Sequence, residues 1–121
     1  MKIFILLFLI VSSQQAYANY EKAYEEASNS PRYIPLSSCY KYHYATGNAQ
    51  ESVKANILLE LDIKRYLSNR GYSSSDIEVA VFANDIYIKT QIEEVVMAMG
   101  FESALANRRL ANFKRFCAGG R

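Results

Sequence analysis

The chain has few side chains suited to nucleophilic catalysis or metal binding, and the main candidates are its two cysteines and its one histidine. Cys39 and His43 are spaced i, i+4, so on a helix they would share one face and could offer a thiolate and an imidazole to a metal. A zinc site wants four ligands, however, and Cys117 is the only other cysteine. No aspartate stands near His43 in the sequence to complete a nucleophile–base arrangement. We therefore predict no enzyme, no metal and no cofactor, with His43 as a packed residue.

Other signatures of catalysis or nucleic-acid binding are also absent from the sequence. The acidic neighbours Glu25-Glu26 and Glu93-Glu94 would point about 100° apart on a helix and would not form a carboxylate pair. The five glycines show no phosphate-binding pattern. The net charge of +2 is too small to indicate a nucleic-acid partner.

The first eighteen residues have the composition of an export signal. Lys2 is followed by an unbroken apolar run at residues 3–11, and Ala16 and Ala18 occupy the positions that a signal peptidase reads. The run is much shorter than the roughly 20 residues that a membrane span needs. The sequence therefore predicts cleavage after Ala18. The mature product would be one domain at residues 19–121, periplasmic or secreted, with no stable membrane anchor.

Export also predicts the state of the cysteines. In an oxidising compartment, two cysteines in one small domain usually pair. We therefore predict a disulfide between Cys39 and Cys117, which would close a long loop. The chain-entropy estimate for such a loop is about 4.5 kcal/mol of stabilisation, a large share of the stability of so small a domain.

The spacing of apolar residues predicts an all-α fold, a compact bundle of about five helices with one disulfide between the second and the last. The predicted helices are residues 20–27, 36–45, 49–69, 76–99 and 102–116. Asn48 and Glu51 have capping-box spacing before the third helix. Val53, Ile57 and Leu61 give that helix its apolar stripe, flanked by Leu58 and Leu67.

The fourth helix has an alternative. Residues 78–82 and 86–90 are rich in β-branched side chains, and Asn84-Asp85 between them could form a hairpin turn. The fold would then be α+β, with a hairpin at about residues 78–90. The helix is preferred because its apolar stripe, which starts at Ile77, continues through residues 91–99, where a strand does not fit.

The chain favours a binding role over catalysis. It has ten tyrosines, and tyrosine is enriched at protein interfaces, although it also fills small helical cores. Six tyrosines are candidates for either role: Tyr33, Tyr40, Tyr42, Tyr44, Tyr66 and Tyr72. The loop at residues 71–75 surrounds Tyr72 with small residues, so Tyr72, Ser73 and Ser74 are the predicted partner contacts.

One family shares several of these features. Leu36-Ser37-Ser38-Cys39, the following Tyr44, Tyr66-Leu67 near the end of a long helix and the late Cys117, together with the export signal, resemble the periplasmic immunity proteins of type VI secretion amidase effectors. The resemblance implies a small helical protein, often a homodimer. It also implies that the protein binds a peptidoglycan-cleaving hydrolase and blocks its active-site cleft.

Two other functions are compatible with an exported helical domain held by one disulfide. One is an accessory or adaptor subunit of an envelope secretion or conjugation system. The other is a periplasmic stress chaperone, which releases apolar surface when carboxylates are protonated. All three functions act through a protein partner rather than through turnover.

Overall fold

The computed structural model of the chain describes residues 19–119, and every regular element within that range is an α-helix. Helix α1 covers residues 19–27, α2 is Tyr33–Ala45, α3 is Ala49–Asn69, α4 is Ser74–Phe101 and α5 is Ser103–Cys117. The predicted all-α bundle is confirmed. The predicted export signal at residues 1–18 lies outside the described residues.

Local sequence signals set the start of α2 and both ends of α3. Asn48 caps α3, and its side chain accepts a hydrogen bond from the Glu51 backbone N–H at 3.3 Å, as the capping spacing predicts. Gly71, just after the end of α3, has φ +89°, which glycine adopts without the steric cost that other residues meet there. Pro35 lies in the first turn of α2, where its missing N–H costs no intrahelical hydrogen bond.

Helix α4 runs without interruption through the segment that could have been a hairpin, so the β alternative at residues 78–90 is wrong. Asn84, which would have stood in the turn, is buried, and its Oδ1 accepts a hydrogen bond from the Tyr33 hydroxyl at 2.6 Å. Gly100 does not end the helix, which continues to Phe101, and Glu102 alone separates α4 from α5. Packing on one apolar stripe overrides the β-propensity of the individual residues.

The core lies where α2, α3 and α4 meet. Helix α2 packs against α3, α4 and α5, and α1 adds the fully buried Ala23 and Ala27. Six large side chains are almost completely buried: Leu59, Ile63, Leu67, Ile88, Ile92 and Val95. The bundle therefore depends on one face of α3 and one face of α4.

The core face of α3 is not the stripe that the sequence suggests. Val53, Ile57 and Leu61 are 58%, 52% and 54% exposed, whereas Leu59 and Ile63 are 2% and 1% exposed. Two sets of residues on this helix have helical spacing, and the set that begins with the small residues Ser52 and Ala55 is the one that faces inward. Small residues at the start of α3 allow it to approach α2 closely.

The predicted disulfide is present and joins α2 to the last residue of α5. Cys39 and Cys117 are 78 positions apart, and their Cα atoms are separated by 4.5 Å. In α5, Leu105, Leu110, Phe113 and Phe116 are half-buried, and Ala106 alone is fully buried. The disulfide therefore holds a helix that contributes little to the core.

Candidate functional site

The two cysteines and the histidine contact groups other than a metal or a catalytic base. Cys39 is bonded to Cys117, which removes it as a thiolate ligand. His43 is half-buried, and its ring meets the Tyr42 ring edge-on with 5.4 Å between the centroids. Residues 19–119 hold no group of three His, Cys, Asp or Glu side chains placed to bind a metal.

The predicted contact residues Tyr72, Ser73 and Ser74 lie together where α4 begins. Tyr72 is half-buried and packs against the core, and burial together with the nearby Glu26 carboxylate raises its pKa. Ser73 is the N-cap of α4, and its hydroxyl oxygen accepts a hydrogen bond from the Asp76 N–H at 3.2 Å. Ser74 is the exposed first residue of α4. A partner contact through these residues stays a prediction, with Ser73 and Ser74 the more accessible of the three.

Most of the candidate tyrosines belong to the packing of the bundle. Tyr40 is buried, Tyr44 is exposed, and Tyr33, Tyr42 and Tyr66 are half-buried. Burial raises the pKa of Tyr33 to about 12, and burial together with the Asp85 carboxylate does the same for Tyr40. A broad surface of exposed tyrosine is therefore not a feature of the described residues.

The exposed apolar surface lies instead on α3 and α4. We call two sets of side chains on these helices the α3–α4 apolar stripes: Val53, Ile57 and Leu61 on α3, and Val79, Phe82 and Ile86 on α4. Their exposed fractions run from 43% for Val79 to 67% for Phe82. Within each stripe the residues are three or four positions apart, so they project from one side of the helix.

A groove of about 360 Å³ lies between α3 and α4. Leu59 and Ile63 form its wall on α3, and Val81 and Phe82 form its wall on α4. Phe82 thus belongs both to the groove and to an exposed stripe. The remaining lining consists of amide and charged side chains, so the groove is of mixed polarity.

Charged residues line the same groove with an excess of carboxylates. Glu60, Glu78 and Asp85 face one lysine, Lys64. Lys64 is 3.4 Å from Glu60, and Asp85 is 2.9 Å from Lys89 outside the groove, whereas Glu78 makes no ion pair with any residue at positions 19–119. The lining of the groove therefore combines four apolar side chains with a net negative charge.

The amino-acid sequence itself indicates that an apolar stripe remains outside the core. Helix α3 has two apolar sets with helical spacing, and only one can face a core. The remaining set must stay in water or meet a partner. The same reasoning applies to α4, where Val79, Phe82 and Ile86 lie opposite the buried Ile77, Ala80 and Ile88.

These features define a class: an all-α domain, held by one disulfide, with an apolar and acidic groove between two long helices. No protein-family model matches the chain, and neither the curated proteins nor the solved structures contain a match to it. None of the helices within residues 19–119 is both long and apolar enough to cross a membrane.

Proposed function

We propose that this protein is exported and acts by stoichiometric binding to another exported protein, with no turnover of its own. The observation that carries the proposal is the pair of α3–α4 apolar stripes, which remain in water on the two helices beside the groove. Extended exposed apolar surface bordered by polar residues is typical of protein interaction sites. The disulfide supports the export, because such bonds persist in oxidising compartments.

The charge of the groove supports one kind of partner surface. Three carboxylates and one lysine line it beside apolar side chains, so a partner segment with apolar residues next to Lys or Arg would match both its charge and its apolar lining. Glu78 is unpaired among the described residues and is free to accept such a cation. We therefore assign the groove to a basic, apolar segment of the partner protein.

The resemblance of the chain to immunity proteins supports a specific partner, a peptidoglycan-cleaving amidase whose cleft this domain blocks. Inhibition by occlusion needs a rigid surface, since rigidity reduces the entropy lost on binding. Helices α3 and α4 are the two longest elements, and the disulfide fixes α2, on which both pack. Ser73 and Ser74 adjoin the stripe of α4 and would lie at the border of the interface.

The genes that flank the gene of this protein are first searched for a peptidoglycan hydrolase, and a neighbourhood without one counts against the immunity function. The experiment then uses the purified mature protein and the hydrolase found in that search. Isothermal titration calorimetry measures the affinity and the stoichiometry of the complex. Ile57→Asp and Phe82→Asp place a carboxylate within each stripe, and we expect each to weaken binding at least tenfold, because truncation of a central apolar contact already costs more than about 1 kcal/mol. Ile34→Asp, at an exposed isoleucine on α2, is the matched control and should bind like the wild type.

Other outcomes would assign the stripes differently. If the protein alone is a homodimer in sedimentation experiments and Ile57→Asp makes it monomeric without affecting the hydrolase, a second copy covers the stripes. Binding to a secretion or conjugation component, with no affinity for the hydrolase, would support the adaptor function instead. Affinity for many unfolded proteins that increases at acid pH would support the chaperone function. Each of these results contradicts the proposal as stated.

A further inference from the structure

A second cavity, of about 350 Å³, lies between α1, α2 and α4 and takes no part in the proposed docking through the stripes. Its lining combines aromatic and amide side chains with one lysine. The lining residues that bear on its chemistry are Tyr24, Tyr33, Lys41, Asn84, Tyr87 and Gln91. The volume is within the range of about 300–1,000 Å³ that is usual for sites of small ligands.

Lys41 is the unusual member of this lining. Every other lysine within residues 19–119 is exposed, whereas Lys41 is half-buried and forms no ion pair with any carboxylate of that range. Its ammonium donates a hydrogen bond to Gln91 Oε1 at 2.9 Å and lies 5.0 Å from the centre of the Phe113 ring. Burial lowers the pKa of Lys41. A half-buried cation with neutral neighbours is costly, and an anion bound beside it would offset the cost.

Hydrogen bonds hold the rest of the cavity in place around Lys41. Gln91 Nε2 donates to the Tyr87 hydroxyl at 3.1 Å, so the amide that accepts from Lys41 is itself fixed. The Tyr33 hydroxyl donates to Asn84 Oδ1 at 2.6 Å, which leaves the NH2 group of Asn84 as a donor for a ligand. The cavity thus provides one positive charge, an amide donor and three tyrosine rings.

We propose that this cavity binds a small aromatic carboxylate, with the carboxylate paired to Lys41 Nζ and the aromatic ring against the tyrosine side chains. A carboxylate accepts hydrogen bonds from both an ammonium and an amide NH2 group, which are the donors that Lys41 and Asn84 offer. An aromatic body fits because Tyr24, Tyr33 and Tyr87 provide ring surfaces in the same cavity. The ligand site is a function additional to the binding of a protein partner.

Glu25 is the one carboxylate in the lining, and its charge would oppose an anionic ligand. Its side chain is exposed, so water and salt screen its charge more strongly than that of the half-buried Lys41. The balance therefore favours the anion, and removal of the Glu25 charge should favour it further. Glu25→Gln should therefore bind the anionic ligand more tightly than the wild type.

The test titrates the 15N-labelled mature protein with sodium benzoate and follows the backbone amide signals by NMR. Benzoate should shift the amides of Lys41, Tyr87 and Gln91, with saturation. Benzamide, which has the same ring but no charge, should bind at least tenfold more weakly, and so should acetate, which has the charge but no ring. Inorganic phosphate should also bind more weakly than benzoate.

Three variants separate ligand binding from folding. Lys41→Met keeps the length of the side chain and its contact with Phe113, and it should lower benzoate affinity at least tenfold without lowering the thermal midpoint. Lys54→Met, at an exposed lysine of α3, should bind like the wild type. Glu25→Gln should raise the affinity.

Equal affinity for benzoate and benzamide would overturn the proposal, and so would wild-type benzoate binding by Lys41→Met. Tighter binding of phosphate than of benzoate, or shifts spread evenly over the surface, would overturn it as well. None of these titrations contains a protein partner, so their result is independent of the docking proposed above.

Discussion

Alanine substitution at Ile63 and at Ile57 separates the core face of α3 from its exposed stripe. The two residues have the same chemistry and lie on the same helix, but Ile63 is 1% exposed and Ile57 is 52% exposed. Removal of a buried isoleucine side chain costs the transfer free energy of the lost methyl groups plus the cavity that remains, about 2–5 kcal/mol in total. Ile63→Ala should therefore destabilise the protein by about 3 kcal/mol.

Ile57→Ala should have a much smaller effect on stability. The lost burial is partial, and alanine is a better helix former than isoleucine by a few tenths of a kcal/mol, so the two terms nearly cancel and the net change should lie within about 0.5 kcal/mol. If Ile57 contacts the partner, the same substitution should weaken the complex by more than about 1 kcal/mol. Ile63→Ala should therefore destabilise the fold, whereas Ile57→Ala should leave stability nearly unchanged and weaken binding.

Urea unfolding followed by circular dichroism measures the difference in stability. With an m-value of about 1–1.5 kcal/mol/M, a loss of about 3 kcal/mol lowers the midpoint by about 2–3 M. The midpoint of Ile57→Ala should stay within about 0.5 M of the wild type. A larger loss for Ile57→Ala than for Ile63→Ala would refute both the assignment of the core face and the exposed stripe that the proposed function requires.

Three further predictions concern the disulfide, a helix cap and alkaline pH. Cys117→Ser should lower the free energy of unfolding by about 2–5 kcal/mol in non-reducing urea titrations, and an unchanged midpoint would contradict the bond to Cys39. Ser73→Ala should cost about 1 kcal/mol by loss of the α4 cap, whereas Ser74→Ala should cost less; equal losses would argue against this cap. The pKa of Tyr33 is raised from 10.0 to about 12, so its hydroxyl stays protonated to a higher pH in the folded state than in the unfolded chain. The stability linked to this proton is complete below pH 10 and is lost as the pH rises toward 12. Tyr33→Phe should reduce that loss in urea midpoints compared between about pH 9 and pH 11.5, and a loss as steep as in the wild type would assign it to other groups.

The parts of the fold that follow from neighbouring residues were predictable. The cap at Asn48, the end of α3 before Gly71 and the break after α1 depend on side chains and backbone angles within one or two turns. The disulfide was predictable for another reason, because the chain offers only one possible pair.

The parts that depend on tertiary packing were not predictable from spacing alone. On α3, the set at Val53 and Ile57 and the set at Leu59 and Ile63 both satisfy the helical period, and contact with α2 decides between them. Tyr72 was expected at a free loop tip because its sequence neighbours are small. It packs instead against the core, close to Glu26 of α1, and residues this far apart in the sequence give no local signal.

Lys41 illustrates the same limit for the second cavity. In the sequence it is a lysine between two tyrosines in a helix, and such a lysine usually extends into water. Its burial arises because Gln91 of α4 and Phe113 of α5 approach from two other helices. Only the folded arrangement shows a half-buried lysine with no ion-pair partner among residues 19–119.

An inhibition titration tests the central claim most directly. A peptidoglycan hydrolase identified among the neighbouring genes is incubated with purified cell walls, and the rate at which it releases soluble fragments is measured while the mature protein is added. If the protein blocks the hydrolase by stoichiometric binding through the α3–α4 apolar stripes, activity should fall linearly to zero at a fixed molar ratio. With the hydrolase diluted to near the Kd, Phe82→Asp should need at least tenfold more protein than the wild type for half-inhibition, and Ile34→Asp should need the same amount as the wild type. Undiminished hydrolysis at a large excess of the wild-type protein, or an unchanged half-inhibitory concentration for Phe82→Asp, would contradict the account.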